Sequence, residues 1–267
     1  MEAGVTGVLD RVVDAVKTVA RKEIMPRYLT VAQHRKTDGS LVTAADIATQ
    51  KALAERLTAI HPAPLMGEEM TEAEQWEQWL AGEEALWCVD PIDGTTNFCN
   101  GVPYFGVSVA LLQNGRSVLG VVYDPVADEV FCAERGRGAY LNGEPLPIRE
   151  LAPSMRSAMA NVDFKRLGSA LKRALAESPP YGSQRNYGAS TLEWCYVAAG
   201  RFHLYLHGNQ KLWDYVAGSL ILAEAGGSMC TLENDDFWAG RRWQRSVIAA
   251  LDRGLFEQWK AWLRAHA

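Results

Sequence analysis

Trp87-Cys88-Val89-Asp90-Pro91-Ile92-Asp93-Gly94-Thr95-Thr96-Asn97-Phe98 is the stretch on which the reading of this chain turns. The apolar run Ala85 to Val89 predicts a short buried strand, closed by Asp90-Pro91. The strand delivers Asp90 at its carboxyl end, and Pro91 turns the chain so that Asp93 folds back toward Asp90 with the Ile92 carbonyl between them. Two carboxylates and a carbonyl are hard oxygen donors, suited to magnesium and not to zinc. Gly94 permits close backbone approach, and the N–H groups of Gly94 and Thr95 can face an anion at a helix start. Metal ligands beside a phosphate cradle imply phosphate-ester chemistry.

Two more carboxylates lie outward from this segment. Glu68, in Gly67-Glu68-Glu69, leaves a second predicted strand end after Leu65-Met66. Asp214, in Trp213-Asp214, sits at or beside the N-cap of an apolar helix running to Ala225 and stopped by Gly226-Gly227. In isolation each is an ordinary acidic turn or cap. Together the four carboxylates carry four negative charges, and a phosphate monoester adds about two more. Two divalent ions would leave about −2 and three would leave none, so metal is obligatory if this is the site.

The rest of the chain predicts an α/β protein in two halves, with an α+β half over 1–150 and an α/β half over 151–267. An amphipathic helix fills the first ~25 residues, with Val8, Leu9, Val12, Val16 and Val19 at helical spacing. Thr43, with Asp46 three residues on, caps a helix whose apolar face is read as Ile47, Leu53, Ala54, Leu57 and Ile60. Asn114-Gly115 joins the strands Phe105 to Leu112 and Ser117 to Tyr123 as a hairpin, and Glu129 to Ala133 and Ala139 to Leu141 extend the sheet. After a boundary near Ile148 to Ser154, strands and helices alternate: strand 157–161, helix 164–177, helix 190–199, strand 202–207, helix 214–225, strand 246–250 and a helix from Leu255.

Composition narrows the classes. The 267 residues are 48% hydrophobic and 22% charged, an ordinary globule with neither the bias of a disordered chain nor a ~20-residue apolar span. The net charge of −5 excludes a strong phosphate-tracking surface, so no nucleic-acid polymer and no membrane is expected as a partner. Met1 to Asp10 has no basic-then-apolar leader, and the five scattered cysteines form no CxxC. Both point to reduced thiols in the cytoplasm. Trp76, Trp79, Trp259 and Trp262 lie at i, i+3 spacing on predicted helices, which predicts packing and not ligand stacking.

The segments Leu41-Val42-Thr43-Ala44-Ala45-Asp46, Gly67-Glu68-Glu69, Asp90 through Phe98 and Trp213-Asp214…Glu224-Ala225-Gly226-Gly227 resemble, in order and spacing, those of the inositol monophosphatase family. The resemblance implies a layered αβαβα sandwich of the inositol monophosphatase/fructose-bisphosphatase type. It implies a lithium-sensitive homodimer using two or three Mg2+ ions per site, hydrolysing a small phosphorylated metabolite with metal-activated water. It would give Glu68, Asp90, the Ile92 carbonyl, Asp93 and Asp214 to the metal, and phosphate to the Gly94 and Thr95 N–H groups. Thr95 with Glu68 would orient the attacking water, Asp46 and Thr43 would position water and ligands, and Gly188, Ala189 and Ser190 would line the substrate pocket.

The chain departs from the family pattern at His207, which stands where an inositol phosphatase has an acidic residue gripping the ring hydroxyls. Histidine cannot offer the same two acceptor oxygens; His207 is expected at the hydroxyl end of the pocket, reading a different alcohol. Lys36-Thr37-Asp38-Gly39-Ser40 leans toward two sister groups, acting on histidinol phosphate or on 3′(2′),5′-bisphosphate nucleotides. A catalytically weak family member acting through protein interaction is the reading from another class. The intact set of Glu68, Asp90, Asp93, Thr95 and Asp214 argues against it.

Overall fold

Continuous apolar runs bounded by turns demand strands buried on both faces, and the chain meets that demand with two sheets set between three layers of helices. A computed structural model describes residues 6–30, 34–35, 41–149, 154–240 and 243–267; the Lys36–Ser40 segment lies outside the described residues. The first part comprises α1 (Thr6–Val19), the short pair β1 (His34–Arg35) and β2 (Leu41–Val42), and α2 (Ala44–Ile60). There follow β3 (Leu65–Gly67), α3 (Glu72–Ala81), β4 (Ala85–Asp93), α4 (Thr95–Asn100), β5 (Gly106–Gln113), β6 (Arg116–Asp124), β7 (Glu129–Glu134), β8 (Ala139–Leu141) and β9 (Glu144–Pro145). The second half holds β10 (Met159–Asp163), α5 (Ser169–Glu177), β11 (Ser183–Arg185), α6 (Ser190–Ala198) and β12 (Leu204–Lys211). It ends with α7 (Leu212–Glu224), β13 (Ser228–Cys230), β14 (Gln244–Ala250) and α8 (Arg253–His266).

Strands β3 to β9 form one sheet in chain order, and the second sheet runs β11-β10-β12-β14-β13. Side chains two apart share a face of a strand, and the core sorts by that rule. Trp87, Val89, Val107 and Val109 face α1 and α2 through Val12, Val16, Leu53 and Leu57. Their neighbours Leu86, Cys88, Ala110 and Leu112 face the central layer, where α6 and α7 contribute Trp194, Tyr215 and Ile221. Tyr205, Val247 and Ala249 close that layer from the second sheet. The opposite face of the second sheet, through Leu204, Leu206 and Ile248, packs against α5 and α8 at Leu171, Leu175, Phe256 and Trp259. This is the αβαβα order. The central helices come from the second half yet cover the first sheet, so the halves on either side of residue 150 share one core.

Several local expectations change. The first helix stops at Val19 and continues as a π-helical turn, Ala20–Ile24, and a 3-10 turn, Met25–Arg27, where Pro26 denies the α-helix a donor. Ile47 is 60% exposed, because the buried face of α2 is Ala45, Asp46, Thr49, Leu53 and Leu57. The helix predicted from Phe164 begins only at Ser169, since Asp163 Oδ1 accepts the Lys165 N–H at 2.6 Å and holds a turn there. Trp259 is buried as expected, whereas Trp76 is 52% exposed and only leans on Trp243. Asn114 and Gly115 both take positive φ, as the hairpin required. Among the described residues no helix is long and apolar enough to cross a membrane.

Candidate active site

On a regular strand Asp90 and Asp93, an odd number of residues apart, would point to opposite faces. Strand β4 pairs antiparallel with β5 as Asp90 with Ser108 and Asp93 with Gly106, so three steps on β4 match two on β5. The extra residue is a β-bulge, which rephases the strand and turns Asp93 to the side of Asp90. Pro91 sits in the bulge, where its missing N–H costs no ladder bond.

Glu68 arrives at the same end. Strand β3 runs parallel to β4 with Gly67 opposite Val89, and the Glu68 N–H donates to the Val89 carbonyl at 3.2 Å. The turn is held from behind, where Gln50 Oε1 accepts the Glu69 N–H at 3.0 Å and Gln75 Nε2 donates to the Gly67 carbonyl at 3.0 Å. A Cβ at Gly67 would lie 2.0 Å from Gln50 Oε1, so a larger residue there would push the Gln50 amide off the turn it holds. The Glu68 carboxyl hydrogen-bonds Asp90.

Asp214 is the third residue of α7, not its cap, and its Oδ2 accepts the N–H of the cap residue Lys211 at 2.8 Å. Ser108, the ladder partner of Asp90, donates its hydroxyl to the Trp213 carbonyl at 3.3 Å and so fixes the start of α7 beside β4. Asp90, Asp93 and Asp214 consequently bring carboxylate oxygens within 4.8 Å of one another. Asp93 is itself held by Thr191, whose N–H and hydroxyl both donate to Asp93 Oδ2, at 2.6 and 2.8 Å. Helix α6 has no side-chain cap at Ala189; Asp93 takes that role from across the fold.

Burial and mutual repulsion set the charge of this cluster. Burial, then Glu68, Asp93 and Asp214, drive the Asp90 carboxyl well above the usual carboxylate range. Burial and then Asp214 push Asp93 up to about 8. Burial raises Asp214 as well, opposed by the Lys211 N–H. Such groups resist ionising together unless a cation joins them. Among the described residues the buried Asp90 Oδ1 has no hydrogen-bond partner, a cost that a metal ligand would not bear. Three converging carboxylates, an orphaned oxygen and an all-oxygen donor set fit a hard divalent cation. Asp46 stands outside the trio at the start of α2. Its Oδ2 accepts the Thr43 N–H at 2.7 Å and the Thr43 hydroxyl at 2.6 Å, completing the expected capping box. Burial lifts its carboxyl to about 6, and its Oδ1 also lacks a partner among the described residues.

The substrate side is built from α4 and the start of α6. Gly94 takes φ 88°, and a Cβ there would press on Ala189 Cβ at 3.1 Å, so the turn after β4 packs closely against the start of α6. The Thr95 hydroxyl donates to the Ile92 carbonyl at 3.1 Å. Gly188, with φ 79°, and Tyr187 donate their N–H groups to the buried Glu193 Oε1, and Asn97 Nδ2 reaches the Tyr187 carbonyl at 2.7 Å. Ser190 opens α6 directly after Ala189. His207 is buried on β12, and both ring nitrogens have partners within the chain: Nδ1 accepts the Asn209 N–H at 3.2 Å, and Nε2 lies 3.3 Å from Asp163 Oδ2. The direct grip on substrate hydroxyls expected of His207 is therefore not the contact that its ring makes.

Sequence reasoning missed Thr191 and Ser108, which aim Asp93 and Asp214. A faint signal existed for Thr191: a helix starting after Ala189 needs an acceptor from elsewhere. For Ser108, inside an apolar strand, there was none.

A profile described as the inositol monophosphatase family matches residues 4–265. A Pasteurella multocida protein named Nus factor SuhB is 34% identical over 233 residues, 82% of this chain and 80% of that one. A Bacillus subtilis protein named inositol-1-monophosphatase is 32% identical over 219 residues, 80% of each chain. The crystal structure of extragenic suppressor protein suhB from Bartonella henselae superposes with a TM-score of 0.83 at 27% identity, covering 98% of this chain and 100% of that one. With a match over nearly its whole length, and with the family's acidic segments folded to one point, the chain belongs to the inositol monophosphatase family.

Proposed function

We propose that this chain is a magnesium-dependent phosphomonoesterase acting on a small polyol or sugar phosphate. The observation that carries the reading is the convergence of Asp90, Asp93 and Asp214 within 4.8 Å, with Glu68 bonded to Asp90. Glu68, Asp90, the Ile92 carbonyl, Asp93 and Asp214 would hold the magnesium. Bound there, it would supply a nucleophile at neutral pH and neutralise charge on the phosphate. The chain's own residues do the rest. Thr191 keeps Asp93 aimed, Ser108 keeps α7 in place, and the Gln50 and Gln75 amides hold the Glu68 turn. The N–H groups of the cap residue Gly94 and of Thr95, the first residue of α4, have no intrahelical acceptor and suit the phosphate oxygens. Thr95 at the start of α4 and Glu68 just after β3 would orient the attacking water, and Asp46 with Thr43 backs that arrangement. Gly188, Ala189 and Ser190 form the wall facing the alcohol.

The relative named inositol-1-monophosphatase supports the polyol class. A homodimer and a cytoplasmic location go with the same reading, as does inhibition by lithium. The test is phosphate release from a panel of inositol phosphates, histidinol phosphate, fructose 1,6-bisphosphate and adenosine bisphosphate. Activity should vanish with a chelator, return with magnesium and fall with lithium. Undiminished turnover after exhaustive chelation would overturn the mechanism.

A further inference from the structure

We propose that Glu193, buried in the first turn of α6, is the positioning residue that fixes the backbone of Tyr187 to Ala189, and so sets how tightly the substrate's alcohol is held; this rests on the phosphatase reading above. That backbone adjoins the acidic cluster by contact. A Cβ at Gly94 would lie 3.1 Å from Ala189 Cβ, and Thr191, two residues on, donates to Asp93 at 2.6 and 2.8 Å. Yet residues 184–188 are all exposed, so burial does little to fix the chain in front of Ala189. An exposed run of this kind opens at little cost unless hydrogen bonds tie it down.

Two side chains tie it. Asn97, on α4, gives its amide N–H groups to the Tyr104 and Tyr187 carbonyls, both at 2.7 Å. Glu193 takes the other side of the same turn. Its Oε1 accepts the N–H of Tyr187 at 3.2 Å and of Gly188 at 3.1 Å, which fills both acceptor sites of that oxygen. Gly188 takes φ 79°, and successive N–H groups beside a left-handed residue can converge on one acceptor. The carboxyl is itself aimed from behind. Trp194 Nε1 donates to Gln210 Oε1 at 2.9 Å, which turns the Gln210 amide N–H groups to the Tyr205 hydroxyl. That hydroxyl donates to Glu193 Oε2 at 3.1 Å. A carboxyl only 2% exposed is costly to bury, and these three neutral donors offset the cost. They also select one rotamer, so the wall is held in register with β12, the strand that leads into the helix of Asp214.

Two measurements on the full chain test this. The first needs no turnover: amide hydrogen exchange at Tyr187 and Gly188, read by mass spectrometry from overlapping peptides. In the unmodified chain both amides should be protected despite their exposure, and Glu193→Leu should speed their exchange about tenfold or more. Glu193→Gln keeps a carbonyl toward the wall and should keep the protection. The second compares KM for myo-inositol 1-phosphate with the inhibition constant of inorganic phosphate, both with magnesium. Phosphate fills the Gly94 and Thr95 cradle and brings no alcohol to the wall. Glu193→Leu should raise KM about tenfold and leave kcat and the phosphate constant within about threefold, and Glu193→Gln should recover most of the KM. Both constants rising together would mean that Glu193 acts through the metals and the cradle, and would overturn the proposal. So would an unchanged KM, a glutamine variant as impaired as the leucine one, or unmodified Tyr187 and Gly188 amides that exchange as fast as free peptide. That last result decides the matter even if Glu193→Leu does not fold. An unmodified chain that cleaves p-nitrophenyl phosphate but not the inositol ester overturns the polyol class, one that cleaves neither overturns the phosphatase reading, and in both cases the exchange result still judges the wall.

Discussion

Replacing Asp90 by asparagine should inactivate the chain and at the same time stabilise its metal-free form. Asp90 shares a 4.8 Å cluster with Asp93 and Asp214, and two like charges at that spacing repel by ~3.5 kcal/mol at an effective dielectric constant of about 20. The wild-type chain avoids most of that repulsion by keeping protons, which is why burial and its acidic neighbours drive the Asp90 carboxyl so far up. Asparagine removes the ionisable group, keeps the shape, and offers its amide to Glu68 and Asp214. In chelator at pH 7, Asp90→Asn should therefore be more stable by ~1–3 kcal/mol, the part of that repulsion left after protonation. Saturating magnesium should reverse the order, since a ligand at a hundred times its Kd stabilises by ~2.7 kcal/mol and the variant lacks the Asp90 carboxylate that would help to hold it. Urea melts of both chains, in chelator and in magnesium, read all four states; phosphate release reads activity. A variant less stable than wild type in chelator by more than ~1 kcal/mol, or an equal gain from magnesium in both chains, would refute this reasoning. So would retention of a tenth of wild-type turnover.

The same cluster sets a pH dependence. Asp93 at about 8 and Asp46 at about 6 lie above their usual value of 3.8, so the folded chain binds these protons more tightly than the unfolded one. Their contribution is full below about pH 4 and is lost as pH rises through 6 and 8. Thermal melts in chelator should show falling stability over that window, and magnesium should flatten the slope; a metal-free chain that grows more stable from pH 5 to 8 would contradict it. Thr191→Val removes the 2.8 Å hydroxyl contact to Asp93 while leaving the 2.6 Å N–H contact. Outer hydrogen bonds of this kind are worth about 10–100-fold in metal affinity. The magnesium concentration for half-maximal activity should rise about tenfold, and an unchanged requirement would count against Thr191 as the group that aims Asp93.

Local chemistry alone determined much of this protein. The apolar run into Asp90-Pro91 specified a buried strand end, Thr43 with Asp46 specified a helix start, and Asn114-Gly115 specified a hairpin. Each depends on contacts within about four residues, or on φ values that few residues tolerate. Helix limits were less legible where a turn competes locally: Asp163 captures the Lys165 N–H and delays α5 to Ser169. The buried face of α2 was legible at Leu53 and Leu57 but not in its first turns, because Ile47 loses its place to Asp46 and Thr49 only when the sheet is beneath them. Tertiary structure decided what the site is made of in space. The bulge that turns Asp93 toward Asp90 exists only against β5. Thr191 reaches Asp93 across 98 positions of chain, and Ser108 reaches Trp213 across 105. The partner of His207 is a carboxylate on a parallel strand, whose register no spacing in one sequence encodes. Hydrogen bonds between distant segments depend on how whole layers pack, and packing is set by the sum of many small contacts and not by any one residue type.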